Sequence, residues 1–197
     1  MFTGIIETTA ILNSLSQEGS NLHFWFSSNI SDSLKIDQSV AHNGVCLTVV
    51  ELKPGMHKVT AISETLQKTN LGTLQVNEPV NLERCMSANG RFDGHIVQGH
   101  VDGLAICKAI EDCNGSWELT FELSSLEQAL LVVEKGSICI NGISLTVVNC
   151  EQLNFKVAII PYTWQHTNLS NLTIGASVNI EFDILGKYIA KQLAFRQ

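Results

Sequence analysis

The side chains best suited to chemistry stand in two matching stretches of the chain. Cys46 and Ser144 each follow Asn-Gly and one apolar residue and precede Leu-Thr, which places a thiol and a hydroxyl at the same position. Cys46 is either a small buried strand residue or a covalent nucleophile, although no sequence neighbour would activate its thiol. His100 offers an imidazole, which suits removal of a proton from an activated methyl group or activation of a water near pH 7.

These stretches belong to an internal duplication. A shift of 98 positions lays residues 39–83 over residues 137–181 without a gap, and 19 of those 45 positions are identical. The start of each unit matches after a shift of one further residue, with Met1 over His100 and Gly4 over Gly103. This alignment predicts that His100 stands where the first unit has Met1.

The duplication predicts two domains of similar structure. We expect a first domain over residues 1–96, a second over 97–185 and a carboxy-terminal helix over 186–197, with the joint at the Gly-rich residues 89–94. Each unit contains about six short apolar runs separated by turn residues. This pattern favours a mainly β fold with two homologous six-stranded closed barrels, because closure removes exposed sheet edges.

Local signals place the elements that must position the polar residues. Asn43-Gly44 and Asn141-Gly142 predict tight hairpins, since both residue types tolerate positive φ. One helix is predicted in each unit, with a capping box over Ser124–Glu127 and a weaker counterpart over Ser31–Ile36. Apolar residues spaced by three and four in the tail predict an amphipathic helix. It either docks onto its own barrel or forms an oligomer contact.

Composition excludes several classes of function. The 197 residues carry a net charge of −7 and no basic run, which argues against a nucleic-acid partner. No apolar run approaches the length of a membrane span. The amino terminus lacks the features of a secretory signal, which indicates a cytoplasmic protein whose six cysteines are free thiols. The cysteine and histidine spacing gives little support for a zinc site.

Taken together, the motifs resemble the riboflavin synthase family of two lumazine-binding repeats. The matching residues are Met1–Ile6, Asn43–Thr48, the joint motif Gly99-His100-Val101-Asp102-Gly103 and Asn141–Val147. The resemblance covers residues 1–190 and implies two six-stranded barrels and a homotrimer assembled by the carboxy-terminal helix. It places the active site between the amino-terminal barrel of one subunit and the carboxy-terminal barrel of another.

The resemblance also implies a reaction. Two molecules of 6,7-dimethyl-8-ribityllumazine would give riboflavin and 5-amino-6-ribitylaminopyrimidinedione by transfer of a four-carbon unit, without a cofactor or metal. Two homologous pockets could hold the two copies face to face, which contributes ~7–11 kcal/mol to such reactions. The resemblance also implies lumazine synthase as a partner with which the protein associates.

Site residues follow from the resemblance. His100, Ser144 and Cys46 are the implied catalytic residues. The implied substrate-binding residues of the first repeat and of the joint are Gly4, Ile5, Ile6, Cys46, Leu47, Thr48, Ala61, Ile62, Glu64, Thr65, Gly103, Leu104 and Ala105. Those of the second repeat are Lys135, Ser144, Leu145, Thr146, Ile159, Ile160, Pro161, Tyr162, Thr163 and Asp183.

Three of these positions leave alternatives open. Tyr162 stands where the family commonly has an acidic residue, which puts in doubt how the second pocket holds the ribityl hydroxyls. Lys135 is either a substrate contact or a solvated loop lysine. Asp183 either approaches the site or caps the tail helix, and His95 is expected to hold the joint in place.

A second class of function shares these barrels. Non-catalytic relatives bind a lumazine or a flavin as antenna proteins and tend to lose the polar residues of the second repeat. This chain retains Cys46, His100, Ser144 and Thr146, which favours the enzyme. The two classes differ in stoichiometry, since an enzyme should bind two ligands per chain and an antenna protein one.

Overall fold

A computed structural model describes residues 1–195 and shows two closed antiparallel β-barrels, which confirms the predicted fold class. The first barrel comprises β1 Thr8–Glu18, β2 Asn21–Ser27, β3 Ser39–His42, β4 Val45–Lys53, β5 Met56–Ala61 and β6 Pro79–Arg84. The second comprises β7 Gly103–Asp112, β8 Trp117–Leu123, β9 Ser137–Ile140, β10 Ile143–Glu151, β11 Asn154–Ile159 and β12 Ser177–Phe182. Both barrels have the same strand order, β1-β2-β5-β4-β3-β6 and its equivalent.

Alternation along the strands fills each barrel with apolar side chains. Phe24 and Phe26 of β2 are fully buried in the first barrel, and Phe121 and Phe155 are buried in the second. The intervening residues of the same strands point outwards, as the period of two requires. Each repeat therefore has its own core, and the outward faces of the strands remain for contact with other segments.

The two predicted hairpins are confirmed and lie back to back. Asn43 and Gly44 have φ of 48° and 78°, and Asn141 and Gly142 have 46° and 82°. A Cβ atom on Gly44 would stand 2.7 Å from the backbone nitrogen of Gly142. Glycine is thus required at both turns, by the backbone conformation and by the close approach of the two barrels.

Six asparagines also join the barrels. The Asn70 N–H donates to Asn179 Oδ1 at 2.7 Å, and the Asn168 N–H donates to Asn81 Oδ1 at 2.8 Å. The Asn179 amide donates to the carbonyl of Asn43 at 2.8 Å, and the Asn81 amide donates to that of Asn141 at 2.9 Å. Each bond has an equivalent in the opposite direction, so the barrels are related by a pseudo-twofold axis.

The helices differ from the predicted ones. Two were missed, α1 Ser63–Lys68 and α3 Pro161–His166, while α2 spans only Leu126–Ala129. The α2 cap is shifted by one residue, because the Ser125 hydroxyl accepts from the Gln128 N–H at 3.3 Å. The counterpart predicted over Ser31–Ile36 is a single 3-10 turn, Ser31–Ser33. Helices α1 and α3 were missed because six residues are too few to show an apolar periodicity.

The tail forms α4 over Ile184–Ala194, which starts two residues before the predicted helix, and residues 196–197 lie outside the described residues. No side chain within that span is buried, and Leu185, Tyr188, Ile189 and Leu193 are each more than half exposed. The apolar stripe therefore does not dock on the barrels of its own chain. Of the described helices, none has the length and apolar character needed to cross a membrane.

Candidate functional site

Two extended segments meet on the pseudo-twofold axis. The amino-terminal segment (residues 2–7) and the joint segment (residues 97–102) form an antiparallel bridge between Phe2 and Val97. The Phe2 N–H donates to the Val97 carbonyl at 2.7 Å, and the Val97 N–H donates to the Phe2 carbonyl at 3.2 Å. Both side chains are buried. The two segments are therefore equivalent parts of the two repeats.

Two buried glutamates hold these segments. Glu83 accepts hydrogen bonds from the N–H groups of Thr3 and Gly4 at 2.7 and 2.9 Å. Glu181 accepts from the three N–H groups of residues 98–100 at 2.6 to 2.9 Å. Burial raises the pKa of both carboxyl groups, and the hydrogen bonds oppose that rise. Two carboxylates at equivalent positions thus fix the backbone at the mouths of two pockets.

This geometry corrects the alignment of the repeat starts. Gly99 takes the place of Gly4, and His100 takes that of Ile5, so the expectation that His100 replaces Met1 is wrong. Gly103–Ala105 is likewise not the counterpart of Gly4–Ile6, because it lies on β7, where Gly103 pairs with Ile180. The second repeat is longer between its second and third strands, which changes the offset between the repeats.

Each segment crosses to the other repeat. The Gly4 carbonyl accepts from the Ser144 N–H at 2.8 Å, and the Gly99 carbonyl accepts from the Cys46 N–H at 2.9 Å. Both glycines have positive φ, and a Cβ on either would lie within 2.6 Å of the Ser144 or Cys46 Cβ. No other residue permits this approach. The amino-terminal segment of the first repeat therefore contacts the second barrel, and the joint segment of the second repeat contacts the first barrel.

The strands leave room for these crossings. The pairing of β4 with β5 begins at Val49 and Val59, so residues 45–48 are free on that side to contact the joint segment. The pairing of β10 with β11 begins at the equivalent positions, Val147 and Val157. Each barrel is therefore open between two strands at the end where its short helix lies.

The first pocket is a cleft of about 250 Å³ at this opening. It is lined by Val45, Cys46, Glu64, Thr65, Lys68, Thr69, Gly99, His100 and Val101. The structure thus brings together the predicted residues Cys46, Glu64, Thr65 and His100. Burial raises the pKa of the Cys46 thiol, which keeps it protonated at neutral pH and disfavours a role as a nucleophile. The His100 side chain is exposed at the rim, while its backbone is held by Glu181.

The second repeat pairs Ser144 with a histidine. His95 Nδ1 lies 2.6 Å from Ser144 Oγ, and among the described residues nothing bonds its buried Nε2. Burial lowers the pKa of His95, although the Asp183 carboxylate opposes the change, so the imidazole is neutral near pH 7. Gly94 permits this arrangement, because a Cβ there would overlap the carbonyl of Thr3. His95 therefore holds the joint, as expected, and also orients the Ser144 hydroxyl.

A second cleft, of about 410 Å³, borders α3. Its lining includes Ile6 from the amino-terminal segment with Tyr162, His166 and Thr167 from the second repeat. A larger cleft of about 540 Å³ runs between the amino-terminal segment and the loop around Arg91, and it contains neither Cys46 nor Ser144. Cys46 thus lines the smallest of the three clefts, whereas Ser144 lines none of them and is instead bonded to His95 and to the Gly4 carbonyl.

Five of the residues predicted to bind substrate have side chains that point into the barrel cores. The side chains of Leu47, Ala61, Ala105, Leu145 and Ile159 are all buried there. Only their backbone groups are available to a ligand, unless the barrel opens. Leu47 and Leu145 lie in the stretches of β4 and β10 that are unpaired on one side, so their backbone groups can contact a substrate. Ala105 pairs with Val178 and with Leu123, so its backbone has no free side.

The other predicted residues lie at the surface or at its edge. Those with exposed side chains are Ile5, Thr48, Ile62, Thr146, Ile160 and Pro161, and those half-buried are Ile6, Gly103, Leu104 and Thr163. Lys135 is exposed on the turn before β9, 3.9 Å from Glu134, and lines none of these clefts. Asp183 caps α4, since its carboxylate accepts from the Leu185 N–H at 2.9 Å, and its charge also reaches His95.

Sequence reasoning missed the glutamates and the pairing of His95 with Ser144. The duplicated Val-Asn-x-Glu motif contained Glu83 and Glu181 and could have indicated them, because buried charged residues are retained only with partners. His95 has no equivalent motif in the first repeat, so its contact could not be read from the duplication.

Comparison with known proteins gives matches over nearly the whole chain. A family model described as lumazine binding domain matches residues 3–85 and 98–183. The chain is 42% identical over 196 residues to a riboflavin synthase of Actinobacillus pleuropneumoniae, covering 98% of this chain and 90% of that protein. It is 39% identical over 195 residues to a riboflavin synthase of Bacillus subtilis strain 168, with the same coverage.

Solved structures show the same fold at lower identity. LumP complexed with riboflavin has a TM-score of 0.84 and 22% identity, covering 92% of this chain and 99% of that one. LumP complexed with 6,7-dimethyl-8-(1'-D-ribityl) lumazine has a TM-score of 0.83 and 21% identity, covering 92% and 98%. At this identity the likeness supports the two-barrel architecture alone.

Proposed function

The chain belongs to the riboflavin synthase family of enzymes, and we propose that its two pockets each bind one molecule of 6,7-dimethyl-8-ribityllumazine. A four-carbon unit passes from one molecule to the other, which gives riboflavin and 5-amino-6-ribitylaminopyrimidinedione. Both substrates are the same compound, so the protein must supply the difference between donor and acceptor.

One observation carries this proposal: the two pockets are equivalent in position and different in chemistry. Gly4 and Gly99 bind the same strand position in the two barrels, yet that position is Ser144 in one and Cys46 in the other. A purely structural pair of barrels would not need different polar residues at these openings. Two unequal pockets suit a reaction in which one copy of a compound donates and the other accepts.

The polar groups at each opening support separate roles. In the first pocket, His100 lies at the rim, where an imidazole can remove the proton of the activated methyl group of a bound lumazine. In the second, His95 orients the Ser144 hydroxyl, which supplies a fixed polar contact beside the ring. The glutamate-held segments keep both openings rigid, and such orientation contributes ~7–11 kcal/mol in comparable reactions.

The reacting pair requires two pockets that face each other, and we place them in different subunits of a homotrimer. The exposed apolar residues of α4 support an oligomer contact there, since four large side chains are left in solvent within one chain. Six free thiols support a cytoplasmic location. Association with lumazine synthase would place the enzyme beside a source of its substrate.

Turnover of purified protein tests the function. The protein is incubated with 6,7-dimethyl-8-ribityllumazine without added metal or cofactor, and riboflavin is measured by its fluorescence. Binding is measured in parallel with riboflavin as the ligand. Riboflavin formation with two ligands bound per chain supports the enzyme. Binding of one ligand per chain without any riboflavin formed would instead identify a non-catalytic chromophore carrier.

A further inference from the structure

The short helices α1 and α3 occupy the same place in the two repeats. Each follows the fifth strand of its barrel and is closed by a threonine. The Thr69 hydroxyl donates to the Thr65 carbonyl, and the Thr167 hydroxyl donates to the Thr163 carbonyl, both at 2.7 Å. The second residue of α1 is therefore equivalent in position to the second residue of α3, and the last residue of α1 to the last of α3. Both pairs of positions lie beside equivalent openings of the two barrels.

The side chains at those positions are of different kinds. In α1, Glu64 and Lys68 form an ion pair, with 3.2 Å between the carboxylate and the ammonium. In α3, the rings of Tyr162 and His166 stack with centroids 4.0 Å apart and planes 17° from parallel. His166 Nδ1 also lies 2.8 Å from the Tyr162 carbonyl and donates to it, which fixes the imidazole behind the phenol ring.

The stacked pair presents an open aromatic face to a cleft. Tyr162 is 68% exposed, so the ring face opposite His166 is not covered by the rest of the chain. Both residues line the cleft of about 410 Å³ that also contains Ile6. A flat heteroaromatic ring gains affinity by stacking on such a surface, whereas Glu64 and Lys68 present charges that suit hydroxyl groups.

We propose that Tyr162, supported by His166, is a specificity-determining residue of the second pocket and stacks on the flat ring of the ligand. The proposal rests on the proposed function, which supplies a ligand with such a ring. The two pockets then hold the same compound by different forces. In the first pocket the charged pair Glu64 and Lys68 binds the hydroxyl groups of the ribityl chain. In the second pocket the aromatic surface of Tyr162 stacks on the ring.

Equilibrium binding of riboflavin tests this directly, because riboflavin is the product and is not consumed. Wild-type protein, Tyr162→Leu and Tyr162→Phe are titrated while riboflavin fluorescence is followed, and the binding sites are counted. We expect Tyr162→Leu to weaken one of two sites about tenfold or more and Tyr162→Phe to leave it within about twofold. Glu64→Leu is the matched control, and it should weaken the other site.

The outcomes separate this inference from the proposed function. Unchanged affinity in Tyr162→Leu overturns the stacking role, as does an equal loss in Tyr162→Phe, which would assign the effect to the hydroxyl. A loss in Tyr162→Leu that accompanies a change in sedimentation overturns it as well, because Tyr162 would then act in assembly. In turnover, the inference predicts a higher KM for Tyr162→Leu with little change in kcat. Absence of turnover in the wild type would refute only the proposed enzymatic function, since riboflavin binding is measured separately.

Discussion

Acid should destabilise this protein through two imidazoles buried in the first barrel. His42 and His57 are fully buried, with their Nε2 atoms 2.9 Å apart, and His57 Nδ1 lies 2.9 Å from the Ser31 hydroxyl. The facing nitrogens can share only one proton, so charging both rings would place two N–H groups against each other. Burial lowers the pKa of His57 to about 4 and that of His42 well below its ordinary value, with His57 adding to the effect on His42.

The direction of the pH effect follows from proton counting. In the unfolded chain both imidazoles take up protons near pH 6.5, whereas the folded chain keeps His57 neutral until about pH 4. The unfolded state therefore binds more protons over that range, and the free energy of unfolding falls as the pH falls. At about 1.4 kcal/mol per pH unit, His57 alone accounts for roughly 3 kcal/mol between pH 6.5 and pH 4.

The second barrel provides the control variant. At the positions of Ser31, His42 and His57 it has apolar residues, namely Ala129, Ile140 and Phe155. We expect the triple variant Ser31→Ala/His42→Ile/His57→Phe to lose less stability in acid than the wild type, by at least about 3 kcal/mol at pH 4, because His42 adds to the contribution of His57. Urea unfolding at half-unit steps from pH 7.5 to pH 4 measures both curves.

The comparison isolates the imidazoles from other titrating groups. Glu83 and Glu181 have raised pKa values, so they favour the folded state as the pH falls, but both proteins contain them. Equal pH slopes in the wild type and in the triple variant would refute the reasoning. The two proteins need not be equally stable at pH 7.5, because the test compares only how their stabilities change with pH.

Three further predictions concern the pockets and the interface between the barrels. His100→Gln should slow riboflavin formation by a factor of about 100 or more while riboflavin affinity changes less than twofold, and unchanged turnover would assign His100 to structure. Gly99→Ala should lower the free energy of unfolding by about 2 kcal/mol or more, because its Cβ would lie 2.5 Å from that of Cys46, and a fully stable variant would contradict the crossing of the segments. Asn179→Ala should cost about 1–3 kcal/mol in urea unfolding, since the Asn70 N–H and side-chain oxygen lose their partner, and a neutral effect would show that water replaces it.

Much of the fold could be predicted from local patterns. The barrels follow from short alternating runs, and the hairpins follow from Asn43-Gly44 and its repeat, because strand periodicity and turn conformation depend on neighbouring residues. Helix α3 could not be predicted in this way. Its six residues are too few for a periodicity, and it forms where strand β11 ends beside the barrel opening.

The candidate site was predictable in part. Cys46, Glu64, Thr65 and His100 were expected from motifs, and the structure brings them to one cleft. Lys135 was expected either as a substrate contact or as a solvated loop lysine, and it lies exposed on the turn before β9 without lining any of the three clefts. Motifs identify residue types and order, but they do not show which segment of one repeat lies against the other.

The sequence by itself determined the duplication, the two barrels and the equivalent positions of Cys46 and Ser144, because these depend on residue patterns within each repeat. Only the tertiary structure decided that the amino-terminal and joint segments exchange barrels, that His100 corresponds to Ile5, and that His95 bonds Ser144. The physical reason is that these contacts join residues far apart in the chain. They form only after both barrels have closed and packed about the pseudo-twofold axis.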